Sequence, residues 1–137
     1  MALDTLTPLG ALIHDRLAEI SKKSGKKYRE KDLAVWTGMD PSQLHRILHY
    51  TTTGTIQRRP DEHTVMRMIL ALRCDAEDAY ALLAVANYTI ATDGYAYKAI
   101  YRDLIRNGNN WDVNTINDKL YEANPQQYGI TIKYPRN

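Results

Sequence analysis

At 137 residues, with 44% hydrophobic and 25% charged side chains, the chain has the size and balance of one globular domain, and it contains no apolar run near the roughly 18 residues that span a bilayer. The net charge of +2 is too small to announce a nucleic-acid partner, but residues 1–60 carry ten Lys or Arg against six Asp or Glu, residues 61–92 two against five, and residues 93–137 six against five. The single Cys74 excludes an internal disulfide, and MALDTLTPLG lacks the basic and apolar regions of a signal peptide, so the expectation is a cytoplasmic protein with no membrane partner.

Thr7 and Pro8 make an N-cap and first-position pair, and Leu9, Leu12, Ile13, Leu17 and Ile20 recur at helical spacing, which predicts a first helix ending near Gly25. Lys22, Lys23, Lys26, Lys27, Arg29 and Lys31 form a basic connection to the next element. The stretch from Asp32 to Tyr50, DLAVWTGMDPSQLHRILHY, reads as two short helices around a tight turn. Leu33, Ala34 and Trp36 or Thr37 share a face of the first, and Gly38 can take the positive φ that ends it. Asp40 then caps the second, Pro41 occupies its first position, and Gln43 stands at the capping-box offset. Leu44, Ile47 and Leu48 lie on one side of that helix; at about 100° per residue, Ser42, Arg46 and His49 project from the other.

A threonine-rich loop with Thr51, Thr52, Thr53 and Thr55 leads to Arg58, Arg59 and Pro60. Pro60 and Asp61 open a helix with Val65, Met68 or Ile69, and Leu72 inward; Asp75 caps another with Ala79, Leu82, Leu83 and Ala86 inward. After a polar link at 91–94, Tyr97, Ile100, Tyr101, Leu104 and Ile105 share a helical face that stops at Asn107 to Asn110. Asp112 caps a last helix with Val113, Ile116 and Leu120 inward, ending before Pro125. In the tail, Ile130, Ile132 and Tyr134 alternate, but a single strand cannot stand alone.

Ala34, Gly38, Leu44 and Ile47 stand at the spacing of the helix-turn-helix of phage repressor and Cro proteins, the XRE-like group, which the chain resembles over about residues 7 to 88. The resemblance implies an all-α fold: a repressor-like five-helix DNA-binding domain over 7–90, a helical extension over 93–124 as candidate dimer surface, and a tail over 125–137. It further implies sequence-specific binding of double-stranded DNA by a transcriptional regulator, a repressor acting as a homodimer. Pro41, Ser42, Gln43, His45, Arg46 and His49 would then read bases, Arg46 suiting guanine and Gln43 adenine. Lys27, Arg29, Lys31, Thr53, Arg58 and Arg59 would contact phosphates, together with backbone donors at the N-termini of the two helices. Both flanks are longer than in compact members of the family.

His45 and His49 have an i, i+4 spacing that can bind metal, but neither Cys nor Glu nor a third His lies near them in sequence, and His14 and His63 read as isolated, with surface or packing roles, so neither metal nor cofactor is expected. With no phosphate loop, nucleophile elbow or paired carboxylates, no enzyme is expected. Ten Tyr against no Phe, with Tyr95, Tyr97, Tyr101 and Tyr121 in the extension, suggest that any dimer surface lies there. The alternative is a protein-interaction module on the same scaffold, such as a mobile-element or antitoxin-like component. An RNA binder is a third reading, and the effector, if any, is open.

Overall fold

The computed structural model describes residues 5–51, 54, 59–89 and 96–125, and among these the chain is all α-helical. Its helices are α1 (Pro8–Ser24), α2 (Glu30–Thr37), α3 (Pro41–Leu48), α4 (Glu62–Ala71), α5 (Ala76–Val85), α6 (Ala96–Asn107) and α7 (Val113–Ala123), with a 3-10 turn, Gly108–Asn110, before the last. None of them is long and apolar enough to cross a membrane. The expected tail strand, Thr53, Arg58, Tyr95 and the 91–94 link lie outside the described residues.

Short polar caps start the helices because each leaves unpaired N–H groups at its first turn. Thr7 accepts from the Gly10 N–H, Asp61 from Thr64, Asp75 from Asp78 and Asp112 from Thr115. Asp40 departs from the capping-box expectation: it accepts from the Ser42 N–H and the Ser42 hydroxyl, both at 3.1 Å, so the cap closes on Ser42 and not at Gln43.

The turn after α2 uses Gly38 at φ 68°, with its N–H on Val35 O at 3.3 Å and the Met39 N–H on Ala34 O at 2.9 Å. That double bond pattern satisfies two carbonyls the helix would leave open. Helices α4 and α5 end in the same pattern, but with Arg73 (φ 52°) and Asn87 (φ 64°) in the left-handed position.

Helix α4 is the hub. Every residue from His63 to Ala71 is buried, and α2, α5 and α6 pack around it. Among the buried positions is Arg67, whose Nη1 donates to Thr37 O at 2.6 Å and so holds the last carbonyl of α2 before the turn. From α1, Arg16 does the same for α4: Nε donates to Leu72 O and Nη2 to Arg73 O, both at 3.0 Å. A cation on a helix C-terminus pairs with its carbonyls and its dipole.

The C-terminal helices share this core and do not build one of their own. Tyr101, Leu104 and Ile105 of α6 and Ile116 and Leu120 of α7 belong to the same buried cluster as α1–α5. This takes Tyr101 out of the expected dimer surface. Tyr101 is 2% exposed, and its hydroxyl lies 2.9 Å from His63 Nδ1. Tyr97 is half-buried with its ring edge-on to Tyr101, while Tyr121 is 54% exposed on α7. His63 takes the packing role of the two open to it: burial, then the Arg67 charge, pushes its pKa down to about 4.

Candidate functional site

Two features meet at α3: an outward face of polar side chains and an inward cluster of titratable ones. Leu44, Ile47 and Leu48 are buried against α1 and α2, which leaves Pro41, Ser42, Gln43, His45 and Arg46 exposed. An eight-residue helix is too short to persist alone, so its placement depends on this packing.

The far end of α3 is fixed by the segment that leads into α1. The Thr7 N–H and Thr7 Oγ1 both reach Leu48 O, at 2.9 and 3.2 Å, and the Tyr50 N–H donates to Thr5 O at 2.7 Å. Leu6 and His49 form an isolated antiparallel bridge. Gly10 sits directly on this junction: a Cβ placed there would lie 2.1 Å from Leu48 O. Only glycine lets α1 approach the α3 backbone so closely.

The helix ends at Leu48, and this changes the role of His49. Its backbone is extended (φ −127°, ψ 145°), so the 100° per residue projection no longer applies and the side chain turns inward. Its side chain is only 14% exposed, with Nε2 2.6 Å from Glu30 Oε2 and Nδ1 3.1 Å from Thr5 Oγ1. His49 is therefore withdrawn from the expected base-reading set. His45 remains 58% exposed, but its ring stacks on His49 at 3.9 Å and its Nδ1 lies 3.6 Å from Glu30 Oε1.

His14 completes the arrangement. From the middle of α1, its Nε2 meets the same Oε2 of Glu30, the first residue of α2. The expectation that His14 is isolated thus fails: three helices bring His14, Glu30 and His49 together with ligand-capable atoms within 4.8 Å of one another. Burial alone would raise the Glu30 pKa, but hydrogen bonds from His14 and His49, and their charge, hold it below its ordinary value. A cavity of about 570 Å³ lined by His14, Leu17, Tyr28, Lys27, Arg29 and Glu30 opens beside the cluster.

Among the expected phosphate-contacting residues, Lys27, Arg29 and Lys31 are exposed around the start of α2. Arg59 is committed elsewhere. Its Nη2 donates to Ala86 O and Asn87 O, both at 3.3 Å, and its guanidinium lies 4.7 Å from the Tyr88 ring centroid, so it closes the end of α5. Arg58 and Thr53 are outside the described residues. The helix N-termini are also less available than expected: Asp32 accepts the Arg29 N–H at 2.8 Å, and Asp40 accepts the Ser42 N–H. Carboxylates already occupy positions a phosphate would take.

Glu30, Arg16 and Arg67 carry structural weight that no local sequence pattern shows. The pairs His14–Glu30 and Glu30–His49 are separated by 16 and 19 residues, so no local spacing announces them. The one available signal was the His45/His49 pair, which shows half of the cluster. No protein-family model, curated protein or solved structure matches the chain.

Proposed function

We propose that the chain binds duplex DNA in a sequence-specific manner, with α2, the Gly38 turn and α3 serving as a helix-turn-helix of the repressor and Cro kind within a five-helix α1–α5 core. The observation that carries this reading is the outward face of α3. Its apolar side is fully engaged, while Ser42, Gln43 and Arg46 stand exposed on a helix set at fixed orientation by Gly10, Thr7 and the Gly38 turn. Arg46 offers the planar fork that fits guanine O6 and N7, and Gln43 the amide that fits adenine N6 and N7. Pro41 and His45 flank them.

Lys27, Arg29 and Lys31 supply exposed positive charge beside the helix pair for phosphate contact. Arg59 takes no part in this version of the interface. Regulation of transcription by a homodimer on a two-fold site completes the proposal, with half-site spacing reporting the dimer geometry.

The test is selection of bound duplexes from a random library with the full chain, followed by fluorescence anisotropy on the selected site. Arg46→Ala should cost about 1–3 kcal/mol at that site and relax base preference at one position. Lys31→Ala should weaken all duplexes about equally and lower the salt slope by about one. Absence of duplex binding at low salt by the folded protein refutes the proposal.

A further inference from the structure

We propose that His14, Glu30, His45 and His49 form a site for a zinc-class dication that fastens α1, α2 and α3 together. Ligand atoms of His14, Glu30 and His49 lie within 4.8 Å of one another, and His45 stands beside them on α3. Glu30 Oε2 is approached by the Nε2 atoms of both His14 and His49, the latter at 2.6 Å, while Glu30 Oε1 faces His45 Nδ1 at 3.6 Å. Three imidazole nitrogens and a carboxylate oxygen make up a four-coordinate set of the type zinc takes.

The geometry needs little adjustment. Zinc bonds of about 2.0–2.2 Å place neighbouring tetrahedral ligands about 3.3 Å apart, so the His49–Glu30 pair opens by less than an ångström. His45 is the ligand that must move: its ring, stacked on His49 at 3.9 Å, has to unstack and turn inward to close the set. The outer shell is present as well. Thr5 Oγ1 lies 3.1 Å from His49 Nδ1 and can accept its N–H, which leaves the Nε2 lone pair aimed at the cluster.

The donor set also selects the ion. Without thiolates it does not favour Cu(I), and with three nitrogens to one carboxylate it does not favour Mg²⁺ or Ca²⁺. Entry is open through the cavity that reaches His14 and Glu30. That cavity also carries Lys27 and Arg29, so capture rests on coordination and not on a negative field.

The full chain, stripped with chelator and titrated with zinc chloride by calorimetry, should bind one ion per chain. Its Tm should rise by about 9 °C when free zinc reaches a hundred times Kd. Substitution with Co(II) should give the visible ligand-field bands of a four-coordinate N/O site. Glu30→Gln and His14→Ala should each weaken binding at least tenfold. Because His49→Ala risks unfolding α3, His45→Ala provides the milder test: its exposed ring should leave the metal-free Tm unchanged while affinity falls about tenfold. No uptake at 100 µM zinc, or uptake in Glu30→Gln and His14→Ala as tight as in the parent, overturns the site. None of these measurements involves DNA, so their failure leaves the DNA proposal standing on its own evidence.

Discussion

Replacing Gly10 with alanine probes the junction on which the position of α3 depends. The new Cβ would stand 2.1 Å from Leu48 O, more than an ångström inside van der Waals contact, and 3.0 Å from Leu48 C, and both atoms are backbone that cannot rotate away. Relieving the clash means separating α1 from α3, with an overpacking cost of about 1–3 kcal/mol. Separation also weakens the Thr7 N–H and Thr7 Oγ1 bonds to Leu48 O, each contributing about 0.5–1.5 kcal/mol. Alanine's better helix propensity returns up to about 1 kcal/mol. The net destabilisation is then about 2–4 kcal/mol. With an unfolding entropy of about 2.1 cal/mol/K per residue, Tm falls by roughly 7–14 °C. Thermal unfolding followed by circular dichroism measures this, with the exposed helical Ala18→Gly as a propensity control expected to lose about 1 kcal/mol. A Gly10→Ala protein as stable as the parent, or more so, refutes the reasoning.

Stability should fall as pH drops from about 6.5 toward 4 through His63, since the unfolded histidine takes up a proton in that window and the buried one, beside Arg67, does not. The effect reaches at most about 3 kcal/mol and is complete below the folded pKa, with Asp61 partly offsetting Arg67. His63→Gln, which can still bond to Tyr101 Oη, should flatten this part of the curve; an unchanged curve would point to other groups. Arg59→Ala should lower stability by about 1–2 kcal/mol, through two lost bonds and the ring contact, while leaving the salt dependence of DNA binding unchanged. A reduced salt slope in this variant would restore Arg59 to the phosphate contacts. Cys74 is 3% exposed, and burial pushes its thiol up to about 12, so alkylation of the native protein should proceed only at the rate of opening. Prompt labelling at neutral pH would contradict the packing around it.

What the sequence revealed is local in origin. Thr7–Pro8, Asp40–Pro41, Asp61, Asp75 and Asp112 act within three residues of themselves, and Gly25 and Gly38 end helices by their own backbone freedom. Helix existence and the inward residues followed from the same short-range patterns. The errors arose where a contact spans the chain. His49 does not lie on the face that a continued helix would give it, because one residue past Leu48 the backbone becomes extended. Tyr101 looks like surface chemistry until the ring of His63 is placed beside it, and Arg59, though exposed, reaches across to the end of α5. Arg73 carries no turn signature at all, yet takes the left-handed position normally given to glycine. The cluster around Glu30 depends on how α1 crosses α3, a consequence of packing that no window of sequence contains.

The bond from the Thr7 N–H to Leu48 O joins residues 41 apart, so closing it also closes a long loop. An amide at the first turn of a helix ordinarily exchanges with solvent quickly, as helix ends fray. At Thr7 the exchange clock is set elsewhere. Its proton is released when α3 leaves α1, so Thr7 should exchange together with the amides of α3 and more slowly than its neighbours at the start of α1. One backbone proton near the beginning of the chain thus reports, hour by hour, how firmly the helix that presents Ser42, Gln43 and Arg46 is seated.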